Sequence, residues 1–121
     1  MGKREQILQM VGVLKEEPAK MPGPDGPVDV LLREMTGKEA EEFEQALDKK
    51  TPNTLGRLLQ TSIYDPETKE RLFQPADRAA LEELGMTALK PILEKIKKVS
   101  AISKADVEKL KANLKTTPTE G

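Results

Sequence analysis

The sequence predicts a mainly α-helical single domain of five or six short helices, with a β-hairpin near its N-terminus. Three observations carry that expectation. Apolar residues recur at helical spacing in most segments between breakers. One run of turn formers, Pro22-Gly23-Pro24-Asp25-Gly26-Pro27, is followed by an alternating stretch. Leu, Ile, Val and Phe make up 28 of 121 residues, about 23%. That exceeds the roughly 20% below which a highly charged chain stays disordered, and a net charge of −1 leaves little self-repulsion to oppose collapse.

From the N-terminus, Ile7, Leu8, Val11 and Leu14 form a short helical stripe, which Gly12 weakens. Val28, Val30 and Leu32 alternate with Asp29, Leu31 and Arg33, so a strand is expected from about 27 to 34, paired across the Pro/Gly turn with Glu17–Met21. Prolines at 18, 22, 24 and 27 suit an edge hairpin better than a central strand.

Thr36-Gly37-Lys38-Glu39 is a helix start with a mechanism. The Thr36 hydroxyl can accept the Glu39 N–H while the Glu39 carboxylate accepts the Thr36 N–H. Ala40, Phe43 and Leu47 follow on one face, and the helix should end near Lys49-Lys50, before Pro52. Leu55, Leu58, Leu59, Ser62 and Ile63 predict the next helix, from about Asn53 to Tyr64. Asp65–Lys69 reads as a turn, so Ile63–Phe73 is expected to be a loop whose apolar ends return to the core together.

Pro75 suits a first helical position, with Ala76, Ala80, Leu81 and Leu84 as the inner face and Gly85 as a left-handed stop. Leu89, Ile92, Leu93, Ile96 and Val99 mark a fifth segment, in which Pro91 is tolerable only near the start. Ser103–Asp106 opens the last helix, with Val107, Leu110 and Leu114 inward and Lys109, Lys111 and Lys115 near its cation-preferring end. Residues 1–115 read as one domain with a hairpin near 17–34, and 116–121 as a flexible tail.

The absent residues narrow the chemistry. With no His and no Cys there is no Ser-His-Asp triad, no Cys nucleophile, no structural zinc site and no disulfide frame. No apolar run approaches the ~20 residues that cross a bilayer, and MGKREQILQM has no signal-peptide core. A soluble protein without catalytic, metal or cofactor sites is expected. Glu39, Glu41, Glu42 and Glu44 fan around a helix instead of converging, which reads as a solvated acidic face. Asp65–Glu70 is no calcium loop, because Lys69 stands where a ligand belongs and Ala76 replaces the bidentate Glu.

Charge is uneven: +2 over 1–15, −7 over 16–85 and +4 over 86–121. The lysines at 90, 95, 97, 98, 104, 109, 111 and 115 suit a solvated face or an acidic protein partner. The alternative is a small Lys-rich regulator that contacts nucleic acid non-specifically, since 86–121 contains no Arg and no aromatic residue with which to read or stack on bases.

The order of segments resembles the tail assembly chaperones of long-tailed, non-contractile bacteriophages and related prophages, over residues 3–114. Its most specific parts are Met35-Thr36-Gly37-Lys38-Glu39 and the loop from Asp65 to Arg71-Leu72-Phe73. The hairpin departs from the pattern, with Met21-Pro22-Gly23-Pro24 where an aromatic residue is often found. The resemblance implies a non-enzymatic protein of the bacterial host cytoplasm, absent from the finished virion. Its partners would be the tape-measure protein, tail-tube subunits, further copies of itself and a longer frameshifted form. Leu72 and Phe73 in the loop, with Lys97 and Lys98 on the basic helix, are the candidate contacts.

Overall fold

The alternation after the Pro/Gly run closes a hairpin where the sequence places one. The computed structural model describes residues 2–116, with side chains as far as residue 112. Strands β1 (Glu16–Met21) and β2 (Val28–Arg33) pair antiparallel, from Met21 opposite Val28 to Glu16 opposite Arg33. Gly26 turns the chain at φ +121°, a conformation open mainly to glycine. Pro18 falls in the outer strand β1, where a missing N–H is tolerated.

Strand β2 is central rather than at the edge. A two-residue strand β3 (Ile63–Tyr64) pairs with its other side, Leu32 opposite Ile63 and Leu31 opposite Tyr64. This corrects the expected helix to Tyr64. Helix α3 (Thr54–Ser62) stops earlier because Ile63 and Tyr64 satisfy the free edge of β2.

Helix α2 (Gly37–Asp48) begins with the reciprocal cap that its sequence specifies. Glu39 N–H donates to Thr36 Oγ1 at 3.2 Å and Thr36 N–H to Glu39 Oε1 at 2.9 Å. It ends at Lys49, as expected. After the 65–73 loop, Pro75 opens a 3-10 turn that runs into α4 (Arg78–Leu81). Leu81 is buried and Leu84 half-buried, but Ala76 and Ala80 face solvent, because so short a helix covers the core only at its end.

Gly85 is not a left-handed stop. It has φ −66° and is the N-cap of α5 (Met86–Val99), whereas α4 has already ended at Leu81 with Glu82 as its C-cap. Pro91 lies sixth in α5, deeper than expected, and removes the bond to the Thr87 carbonyl on an exposed face. Helix α6 (Lys104–Thr116) is capped by Ser103, whose Oγ accepts the Asp106 N–H at 3.1 Å. The side chains of Leu114 and Lys115, and the expected tail after Thr116, lie outside the described residues.

The core lies between one face of the sheet and the helices. Leu32, Leu59, Ile63, Leu89, Ile92 and Ile96 are fully enclosed, with α5 across β1 and β2 and α6 against α2 and α3. At the other extreme, the stripe of the first helix, α1 (Lys3–Leu8), is not core. Ile7 is 70% and Val11 75% exposed. The helix ends at Leu8, before its stripe is long enough to pack, and Gly12 turns the chain beyond it at φ +82°. Six α-helices and one three-stranded sheet are present among the described residues.

Candidate protein-binding grooves

The loop 65–73 is fixed in place from several sides. Asp65 Oδ1 accepts the Glu67 N–H at 2.8 Å, and Asp65 N–H donates to the Glu70 carbonyl at 2.8 Å. Leu72 N–H donates to the Ile63 carbonyl at 3.3 Å, so the two ends of the loop meet, but they do not both enter the core as expected: Ile63 is fully buried, Phe73 packs half-buried against it and Leu72 is exposed. Arg71 pairs with Glu39, and two guanidinium groups lie over the Tyr64 ring, Arg33 4.3 Å and Arg71 5.7 Å from its centroid. Buried Gln60 completes the frame. Its Nε2 donates to the Phe73 carbonyl at 3.2 Å, while its Oε1 accepts from Arg78 at 2.9 and 3.0 Å. Burial pushes the Arg78 guanidinium down from its ordinary range, with Arg57 and Arg71 adding repulsion.

Leu72 and Phe73 therefore border a groove of about 410 Å³ between the hairpin and α4, walled also by Met21, Val28, Leu81 and Leu84. Asp77 is its one charged lining residue. A second groove, of about 530 Å³, runs between α5 and α6 above Phe43, Leu55 and Leu58. Leu93, Ile102, Val107 and Leu110 line it, Met86 stands exposed at its margin, and Lys90, Lys97, Lys111, Glu94 and Asp106 edge it.

The four residues singled out in the sequence are thus divided. Leu72 and Phe73 line the first groove, half-buried Lys97 lines the second, and exposed Lys98 lines neither. Sequence reasoning missed Met86 and Ile102, and it placed Leu93 and Val107 on helical stripes without dividing core from groove. The width of the α5 stripe was the available signal. Leu89, Ile92, Ile96 and Val99 fill the core, and Leu93 remains at the margin.

The basic segment is not uniformly free. Lys95 Nζ donates to the Pro18 carbonyl at 2.9 Å, and Lys109 Nζ to Asp48 Oδ1 at 2.8 Å. The Asp48 carboxylate holds the Lys109 ammonium above its ordinary range. Among the described residues Lys90, Lys97 and Lys98 have no acidic partner within ion-pairing distance. The acidic residues of α2 do not converge: Glu39 pairs with Arg71 and Glu42 with Arg57 at 3.8 Å. No group of three or more His, Cys, Asp or Glu able to hold a metal occurs among the described residues. No helix among them is long and apolar enough to cross a membrane.

A solved protein shares this fold. The structure of the bacteriophage HK97 tail assembly chaperone matches this chain with a TM-score of 0.56 at 16% sequence identity, over 83% of this chain and 99% of that one. The likeness is one of fold. It meets the resemblance read from segment order with a resemblance in three dimensions, and nearly all of the HK97 chaperone is included. No protein-family model matches the sequence, and no curated protein does.

Proposed function

We propose that this chain is a tail assembly chaperone that binds the tape-measure protein of a long-tailed phage or prophage and recruits tail-tube subunits around it. The fold shared with the HK97 tail assembly chaperone, end to end on that protein, carries this reading. The α5–α6 groove gives it a mechanism. Tape-measure proteins are long and helical, and an amphipathic helix hides its apolar seam by laying it in an apolar groove. Leu93, Val107 and Leu110 would receive the seam, and Lys90 and Lys97, lacking acidic partners of their own, would meet carboxylates flanking it. Such marginal charges steer encounter and select the partner more than they tighten the complex. A holdase that must later give way to tube subunits needs that reversibility. Its place of action would be the host cytoplasm.

The test is the soluble fraction of the neighbouring tape-measure protein on co-expression. The unaltered chain is expected to raise it. Val107→Asp, which places a charge in the groove floor, is expected to abolish the gain while the variant itself stays folded by circular dichroism. Equal rescue by both chains would remove the groove from the account.

A further inference from the structure

The floor of the α5–α6 groove is nearly closed to solvent although a void lies above it. Phe43, Leu55 and Leu58 are 3%, 3% and 2% exposed, yet all three line the space of about 530 Å³. That volume is about one turn of a helix roughly 10–12 Å across with a pitch of about 5.4 Å. Seam recognition through i, i+3, i+4 and i+7 anchors runs over two turns. The mouth between α5 and α6 therefore limits entry. We propose that α6 is a strap, held shut by Lys109 and Asp48, that swings out about residues 101–103 and opens the Phe43/Leu55/Leu58 floor as the docking surface for an amphipathic client helix. The occupant rests on the chaperone reading; the motion rests on the fold alone.

Helix α6 is lightly held. Within residues 104–112 only Leu110 is buried, whereas α5 buries Leu89, Ile92, Ile96 and Val99. It rests on α2 and α3 and stands off α5 across the groove. Among the described residues its one ion pair to another element is Lys109 Nζ to Asp48 Oδ1 at 2.8 Å, between side chains 48% and 60% exposed. Pairs so exposed hold weakly. Elements with few buried apolar contacts open locally, at a fraction of the free energy of global unfolding.

The connection supplies the hinge. Ser100 is fixed, because its Oγ accepts the Met35 N–H at 3.0 Å. Beyond it α5 is closed by Ala101 N–H to the Lys98 carbonyl at 3.4 Å and Ile102 N–H to the Lys97 carbonyl at 3.0 Å. That turn sets Ala101 at φ +52°, in a place where glycine usually stands. A left-handed alanine persists only while its surroundings enforce it, so the closed position carries strain that a swing releases. Ile102, half-buried against the core, is the remaining stay. The mouth suits its occupant. Lys90 and Lys97 edge it, without acidic partners among the described residues, and can meet carboxylates beside a client's apolar seam.

Two measurements on the full chain test this. The first is amide hydrogen exchange with no client present. The α6 amides are expected to exchange together, at least roughly tenfold faster than those of α5. Asp48→Asn should speed α6 by a further factor of about two to five and leave α5 unchanged. Protection that falls steadily toward the end of α6, as in simple fraying, would overturn the strap. So would α6 exchanging in step with α5, or no response to Asp48→Asn. The second measurement uses the lack of cysteine in the chain. Asp48→Cys with Lys109→Cys, joined by a short cleavable bismaleimide, locks the strap. Urea-unfolded tape-measure protein is diluted into the chain and its aggregation followed by light scattering. The bridged protein is expected to lose the protection that the parent gives, and to recover it once the linker is cut. Equal protection before and after cutting would overturn the docking surface. A parent that gives no protection overturns the chaperone reading and the occupant with it, while the exchange result still decides the strap.

Discussion

Gly56 in α3 and Arg78 at the start of α4 meet backbone to backbone. A Cβ built on Gly56 would overlap the Arg78 carbonyl group, so the two helices approach as closely as only a glycine permits. The same contact satisfies an orphan donor of the α3 first turn, because Gly56 N–H donates to Glu82 Oε2 at 2.9 Å. The pairing fixes α4, and through Arg78 and Gln60 it fixes the segment that presents Phe73.

Gly56→Ala should therefore destabilise the protein despite the better helix propensity of alanine. The propensity gain is about 1 kcal/mol. Overpacking against backbone, which cannot rotate away, costs about 1–3 kcal/mol or more. A net loss of about 1–2 kcal/mol in urea unfolding is expected. An unchanged or raised midpoint would mean that α4 is free to shift.

Thr36→Ala removes the hydroxyl that accepts the Glu39 N–H and should cost about 1 kcal/mol. Thr36→Ser keeps the acceptor, so its midpoint in the same urea titration should stay within a few tenths of the parent's.

Two exposed pairs set the pH limbs of stability in opposite directions. The Arg33 guanidinium hydrogen-bonds the Glu16 carboxylate and holds it below the ordinary glutamate range, outweighing the opposing desolvation, with Lys69 adding to the lowering. A depressed carboxylate stabilises the fold above its unfolded pKa, and that contribution is lost as pH falls through the folded value. Lys109 is raised by Asp48, so its contribution is present below the unfolded lysine pKa and is lost as pH rises through the folded one. Glu16→Gln should flatten the acid limb of the urea midpoint against pH, and Asp48→Asn the alkaline limb.

Local rules made much of this fold legible. The capping box at Thr36 and Glu39, the hairpin and the α5 stripe are each decided within a few neighbouring residues. What escaped was non-local. Ile63 and Tyr64 continue a helical stripe in the sequence, and only the free edge of β2, some thirty residues earlier, turns them into a strand. Gly56 gave no signal, since its partner at Arg78 comes from another helix. The Ile7/Val11 stripe has helical spacing, yet α1 ends at Leu8 and buries nothing. The candidate site was half legible for the same reason. Leu72, Phe73 and Lys97 do line grooves, but which residues share a groove depends on how α4, α5 and α6 pack.

The central claim is that the chain works by holding another polypeptide reversibly. Co-purification tests it most directly: the tagged chain and its neighbouring tape-measure protein are expressed together without other phage proteins, and the soluble complex is weighed and its composition quantified. Several copies of the chain on each tape-measure molecule, released by added salt and apolar competitor helix, is the predicted result. A tape-measure protein left wholly in the insoluble fraction, with the tagged chain recovered alone, would contradict it.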